Sequence, residues 1–245
     1  MNNSKYNGIT EGVIWKQLML FFFPVLLGTF FQQLYNTVDA VIVGRFVGKE
    51  ALAAVGGSSS QILNLLIGFF TGVASGAAVI VAQYYGARDA EDSSRSVHTA
   101  MILAIVSGAL MTVVGILTAP VLLRIMATPE DTMADSIVYM RWVYLAMIPG
   151  MVYNMGSAIL RAVGDSKHPL YFLIACCLIN VALDLLFVVT FKMGVAGAAI
   201  ATALSQLLSA VMICLFLARS KTEMSVRLEL SKLRTDWKLM RRTIH

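Results

Sequence analysis

Two aspartates lie inside long apolar stretches of this chain, where a charged side chain is unusual. The first stretch carries polar residues spaced three and four apart, which places them on one side of a helix. These residues are Gln32, Tyr35, Asn36 and Asp39. Because a charge at mid-membrane costs about 3 kcal/mol or more, such an acid normally faces a bundle interior or an aqueous cavity. The alternative is a structural carboxylate paired with a neighbouring helix.

The second intramembrane acid, Asp184, follows Asn180 at helical spacing, and Thr202 lies in the last apolar stretch. Carboxylate, amide and hydroxyl oxygens together suit a hard cation such as Na⁺, or protons shared between acids. If Asp39 and Asp184 converge, they repel each other, and a proton, Na⁺ or an organic cation would relieve that repulsion. A site that exchanges one cation for another in this way is what an antiporter requires. For the neutral residues, ordinary interhelical hydrogen bonds are the alternative.

Membrane-spanning helices are the elements that would position these residues. Of the 245 residues, 58% are hydrophobic and 13% are charged, about half the charged share of a soluble domain. Six apolar stretches approach or exceed the roughly 20 residues that a helix needs to cross a bilayer. They cover residues 17–43, 52–82, 97–126, 137–160, 170–191 and 195–217. The predicted fold is an all-α membrane protein, a polytopic bundle of six transmembrane helices.

The distribution of Lys and Arg predicts the orientation in the cell membrane. Of 19 basic residues, 14 lie in the N-terminal segment, in the loops after the second and fourth spans, or in the C-terminal segment. Both termini are therefore expected in the cytoplasm. We divide the chain into a cytoplasmic N-terminal segment (1–16), a six-helix transmembrane lobe (17–218) and a basic cytoplasmic linker (219–245). A juxtamembrane position explains the basic linker, so no nucleic-acid partner is predicted.

The sequence contains no GxxxxGK[ST] phosphate loop, so we predict no ATP site, no enzymatic activity and no organic cofactor. Transport would then be driven by a gradient of Na⁺ or H⁺. Pro24 lies within the first span and frees a backbone carbonyl in the preceding turn. It is either a static kink or a hinge that is biased when Asp39 binds a cation, and the sequence favours neither.

Small residues inside the spans are interpreted structurally. Cys176, Cys177 and Cys214 lie in apolar stretches without metal-binding spacing, so we expect small buried side chains. Glycines spaced four apart in the second span, as in GxxxG motifs, predict close helix packing. These glycines are Gly68, Gly72 and Gly76.

Several motifs follow one another in a fixed order. They are Pro24 with QQLYNTVDA (32–40), AQYYGA (82–87), Asn154, LRAVGDSKHP (160–169), NVALD (180–184) and GVAGAAIAT (194–202). This ordered set resembles the N-terminal half of the multidrug and toxic compound extrusion (MATE) transporters, and the similarity covers about residues 15–217. The resemblance implies two six-helix lobes around a V-shaped cleft, and export of organic cations in exchange for Na⁺ or H⁺.

The resemblance also implies residue roles. It places the cation site, which holds Na⁺ if sodium is the coupling ion, at Asp39, Asn180, Asp184 and Thr202. The polar residues that we predict to line the substrate cavity are Gln32, Tyr35, Asn36, Tyr139, Asn154 and Gln206. Pro24 is the predicted hinge.

Only one of the two lobes is present. We therefore expect the chain to be the N-terminal lobe of such an antiporter, whose partner is either a missing C-terminal lobe or a second copy of the chain. The other partners expected are small organic cations and the lipid bilayer. A lipid-linked saccharide flippase of the same superfamily is one alternative, although it would need basic residues inside the cavity. A membrane scaffold without transport activity is the other.

Overall fold

The computed structural model describes residues 14–219, and all regular elements in this range are helices. Eight α-helices follow one another: α1 (Ile14–Phe46), α2 (Lys49–Gly56), α3 (Ser58–Gly86), α4 (Ala90–Ile125), α5 (Glu130–Leu145), α6 (Met147–Ala162), α7 (Lys167–Asp184) and α8 (Gly194–Arg219). A π-helical segment, Leu185–Thr190, continues α7. The predicted N-terminal segment and basic linker lie almost entirely outside the described residues.

Five helical stretches are long and apolar enough to cross a membrane, and α2 and α3 together form one of them. The α5 and α6 helices, taken as one bent span, make a sixth. The predicted all-α, multi-pass fold is therefore confirmed, and the chain is a membrane protein.

The fourth span differs from its prediction as a single apolar helix over 137–160. It is two helices that meet at Ala146 with a bend of 48°. Pro149 explains the break, because it has no N–H to donate to the Leu145 carbonyl and its ring clashes with that carbonyl in a straight helix.

The α4 helix fits closely against this bend. The Thr112 hydroxyl donates a hydrogen bond to the Tyr144 carbonyl at 2.7 Å. A side chain at Gly108 would meet the backbone of Ile148, and one at Gly115 would collide with the Tyr144 ring. The close packing predicted for the second span is wrong at Gly68 and Gly72, since no atom of the described residues lies within 4 Å of a Cβ built at either. At the bend, the packing glycines are Gly108 and Gly115 of the third span.

The apolar core consists of two clusters at opposite ends of the lobe. The first lies towards residues 163–166, where α6 joins α7, and includes Val81, Ile159 and Leu217. The second lies towards residues 191–193, where the π-helical segment leads to α8, and includes Val43 and Val188. We call these the α6–α7 end and the α7–α8 end. Along α8, polar residues 202, 205 and 209 separate the two clusters.

Candidate functional site

Three helices bring the four predicted cation-site residues together between the two apolar clusters. Asn180 and Asp184 lie one turn apart on α7 and are completely buried, and Asp39 of α1 and Thr202 of α8 are 6% and 8% exposed. The carboxyl groups of Asp39 and Asp184 face each other. Tyr139 of α5 is an electrostatic neighbour of both acids. The structure thus places two buried carboxyl groups beside neutral oxygen donors.

Most polar atoms of this cluster have no protein hydrogen-bond partner. They are Oδ1 of Asp39, both side-chain polar atoms of Asn180, both carboxyl oxygens of Asp184, Oγ1 of Thr202 and Oη of Tyr35. Because buried polar groups are almost always hydrogen-bonded, such a concentration requires an explanation, and a bound ion, proton or water supplies one.

The donor chemistry fits a small hard cation. Oxygens of Asp39, Asn180, Asp184 and Thr202 are the ligand type that Na⁺ prefers, and the site offers neither thiolate nor imidazole. In residues 14–219, no group of three or more His, Cys, Asp or Glu side chains is arranged to hold a metal. Two carboxyl groups with two neutral oxygens therefore suit a monovalent cation or shared protons. The roles of these four residues stay predictions.

A change of helix type follows directly after Asp184. The α7 helix ends at this residue and the π-helical segment begins at Leu185. A π-helical turn holds more residues than an α-helical turn, and such turns are frequent at functional sites. Val188 is the buried residue of the segment.

The predicted polar stripe of α1 divides between two surfaces. Tyr35 is half-buried next to Thr202 and Asp39, whereas Gln32 and Asn36 are exposed on the described lobe. The four residues share one side of α1, but they are not equally buried within this lobe. Two adjacent rows exist, and only the row of Tyr35 and Asp39 points inwards. Lining of a substrate cavity by Gln32 and Asn36 stays a prediction.

The remaining predicted residues lie around the cluster. Tyr139 is buried, and Asn154 of α6 and Gln206 of α8 are half-buried. The Gln206 side-chain oxygen covers Gly150, where an added Cβ would lie 2.9 Å from it. Pro24 is buried in α1, which runs without interruption from Ile14 to Phe46, and its hinge role stays a prediction.

Cys176 is buried, as expected, and it also makes a polar contact. Its thiol donates a hydrogen bond to the Ser205 carbonyl at 3.2 Å, and Tyr35 and Tyr153 are electrostatic neighbours. A signal was available in the sequence, because residues 176, 180 and 184 are spaced four apart and share the face that carries the acid.

Comparison with known proteins agrees with this arrangement. The family model MatE matches residues 24–186, which is more than half of the chain. The chain belongs to the MatE family. The predicted resemblance to MATE transporters is thereby confirmed.

Two relatives of this MatE-family chain come from Bacillus subtilis. The chain is 34% identical over 212 residues to the probable multidrug resistance protein YoeA, which covers 85% of this chain and 46% of the relative. It is 32% identical over 197 residues to the probable multidrug resistance protein YpnP, covering 80% of this chain and 44% of the relative. The chain thus spans about half the length of the curated relatives it matches.

Solved structures give the same picture. A MATE protein in the bent conformation superposes with a TM-score of 0.89 at 26% identity, covering 99% of this chain and 54% of that one. The outward-facing conformation of a multidrug resistance MATE family transporter of the MOP superfamily gives a TM-score of 0.88 at 26% identity, covering 100% and 53%. The helical bundle described here therefore corresponds to one lobe of such a transporter.

Proposed function

We propose that this chain is the N-terminal lobe of a secondary antiporter that exports organic cations in exchange for Na⁺ or H⁺. The observation that carries the proposal is the buried pair Asp39 and Asp184, with Asn180 and Thr202 beside it and most of their polar atoms unpartnered. The names of YoeA and YpnP, multidrug resistance proteins, support the substrate class.

In the proposed cycle the two carboxylates bind the coupling cation, while the Asn180 and Thr202 oxygens complete its coordination without adding buried charge. Loss of the cation leaves two facing carboxylates, and their repulsion favours either rebinding or a changed packing of α1 against α7. An organic cation competes for the same negative charge. The cleft needs a second wall, which we assign to a C-terminal lobe or a second copy of the chain. We place the protein in the cell membrane with both termini in the cytoplasm.

The charge of the buried residues argues against a lipid-linked saccharide flippase. Such a protein would need Lys or Arg inside the lobe to bind phosphate, whereas Asp39 and Asp184 are the buried acids and no Lys or Arg is buried among the described residues. The scaffold alternative is separated from the antiporter by experiment.

The first experiment measures the melting temperature of the purified chain in detergent with Na⁺ against K⁺. A ligand at 100 times its dissociation constant stabilises the folded state by about 2.7 kcal/mol. We expect a Na⁺-specific rise that disappears in Asp184→Asn and persists in Asp135→Asn, a matched change at an exposed acid of α5. If Na⁺ and K⁺ act alike but Asp184→Asn alters the dependence of the melt on pH, the coupling ion is the proton. Absence of both effects would favour the scaffold.

The second experiment measures transport by the complete protein in cells. Asp39→Asn or Asp184→Asn should abolish efflux of a cationic dye, because each removes one of the two charges that bind the cation. Asp135→Asn should transport normally. Unchanged dye accumulation in cells carrying either site variant would contradict the antiporter.

A further inference from the structure

We propose that polar side chains inside the lobe form an exchange route between the Asp39–Asp184 site and the α6–α7 end, through which the coupling cation or proton enters and leaves. The opposite side of the site is packed mainly with apolar side chains, among which Tyr139 and Tyr144 also lie. That a coupling cation or proton uses the route rests on the proposed function. The direction of the route rests on the residues described in the next paragraphs.

Towards the α7–α8 end, Asp39, Asp184 and Thr202 are each followed by an apolar residue one turn away. Val43 lies one turn beyond Asp39 and Val188 one turn beyond Asp184, and they are 0% and 3% exposed. On α8 the corresponding residue is Ala198, which is completely buried. Three helices therefore close this side with side chains that offer no hydrogen bond to an ion, a proton or a water molecule.

A cavity lies at the α7–α8 end, and the apolar residues separate it from the site. Its volume is about 530 Å³, and its lining includes Val188 but not Asp184. The lining residues are Phe46, Val47, Val188, Val189, Lys192 and Gly194. The cavity thus ends one helical turn from the acid.

Towards the α6–α7 end, the same helices carry polar groups instead. Tyr35 precedes Asp39 by one turn, and its buried hydroxyl makes no hydrogen bond although Thr202 is its neighbour. Cys176 lies two turns before Asp184, and its thiol bonds the Ser205 carbonyl at 3.2 Å. Tyr35 and Cys176 are themselves electrostatic neighbours. The first part of the route therefore joins α1, α7 and α8.

The α6 helix continues the polar series. Tyr153 is an electrostatic neighbour of Cys176, and its hydroxyl donates a hydrogen bond to the Pro169 carbonyl at 3.0 Å. One turn further along α6, the buried hydroxyl of Ser157 has no hydrogen-bond partner. Arg161, in the last turn of α6, is an electrostatic neighbour of Tyr153. The series therefore reaches the connection between α6 and α7.

Interhelical hydrogen bonding alone does not account for this arrangement. Polar residues that hold helices together do so through the hydrogen bonds that they make. The hydroxyl of Tyr35 lies beside that of Thr202 and the hydroxyl of Ser157 lies beside that of Tyr153, yet the buried hydroxyls of Tyr35, Thr202 and Ser157 have no partner in hydrogen-bond geometry within the described lobe. Buried groups of this kind normally bond to water, and a file of water between them would conduct protons or small cations.

The chain contains a matched pair of cysteines for testing the route. Cys176 lies in it, whereas Cys177 is equally buried on α7 but points away. We would use two variants, Cys177→Ala/Cys214→Ala and Cys176→Ala/Cys214→Ala, in sealed membrane vesicles of both orientations. Each is exposed to Ag⁺ in chloride-free buffer, and the thiol that remains is then counted with a maleimide after denaturation. In the wild-type chain, fragmentation of the labelled peptide that contains both residues compares the labelling of Cys176 with that of Cys177 without any substitution.

We expect Ag⁺ supplied from the α6–α7 end to block Cys176 roughly tenfold faster than Cys177, since thiol reactions depend on access. From the α7–α8 end both should react slowly. Equal rates at the two cysteines, or faster reaction of Cys176 from the α7–α8 end, would overturn the route.

The two proposals fail separately. A Na⁺-specific melt with a protected Cys176 would overturn the route and leave the antiporter standing. An accessible Cys176 with no effect of Na⁺ or pH on the melt would support an aqueous route and remove the cation site.

Discussion

Replacing Gly108 with alanine tests how tightly α4 packs against the bend between α5 and α6. A Cβ at this position would lie 2.8 Å from Ile148 Cα and 3.3 Å from the Met147 carbonyl oxygen. These are backbone atoms, and they cannot easily move away from α4, because the Thr112–Tyr144 hydrogen bond holds the bend against that helix. Overpacking of this kind costs about 1–3 kcal/mol. The better helix propensity of alanine offsets about 0.5–1 kcal/mol of this destabilisation. We expect a net loss of about 1–2 kcal/mol.

The assay is the melting temperature in detergent, with Gly72→Ala as the control. For a chain of this size, 1 kcal/mol corresponds to about 2–4 °C, so Gly108→Ala should melt about 2–8 °C below the wild type. Gly72 lies in α3 with no described atom within 4 Å of its added Cβ, so its replacement should be neutral or stabilising. If both variants melt at the same temperature, α4 does not constrain the bend and the packing argument is wrong.

Three further predictions use the same preparation. Thr202→Val should remove most of the Na⁺-specific rise in melting temperature, because it deletes one ligand oxygen. The control Thr118→Val, at an exposed α4 hydroxyl that bonds its own helix, should keep the rise. Equal responses of the two variants would exclude Thr202 from the site. Thr112→Val should lower stability by about 1 kcal/mol through the lost hydrogen bond, and a melt identical to that of Thr118→Val would show that this bond contributes nothing. Asp165→Ala should speed amide hydrogen exchange in the first turn of α7, because it removes the carboxylate that accepts from the His168 N–H at 3.2 Å, and unaltered exchange there would contradict a capping role.

The fold was predictable because a membrane span is a strong sequence signal. Long apolar stretches locate the helices, and an acid inside such a stretch is conspicuous, so the positions of Asp39 and Asp184 in the spans could be read directly. The pairing of the two acids in space needed the structure, since sequence spacing relates residues only within one helix.

The polar stripe of α1 divides into a buried and an exposed row for a geometric reason. With 3.6 residues per turn, Gln32 and Asn36 form one row and Tyr35 and Asp39 form a second row about 60° away. A boundary between inside and outside can fall between these rows, and here it does. Hydropathy alone cannot say where that boundary lies.

Two other features show different limits of the sequence. The break at Ala146 follows from Pro149. Transmembrane prolines are common, however, and a proline in the sequence does not predict the angle of the bend. The π-helical segment after Asp184 has no periodic signal, because it depends on how one turn is accommodated by its neighbours. Gly68 and Gly72 of α3 matched a packing motif but have no close neighbour from another helix among the described residues, whereas Gly108 and Gly115 of α4 pack against the bend without matching it.

The bend also affects how the chain enters a membrane during synthesis. The α5 and α6 helices have 16 residues each, fewer than the roughly 20 needed to cross a bilayer, and α5 carries Asp135 and Arg141. Neither half is a sufficient insertion signal by itself. We therefore expect the fourth span to insert only once α4 is already in the bilayer and offers the surface around Thr112 to receive it. Pro149, which divides the fourth span into two short helices, thereby makes the insertion of this span depend on α4.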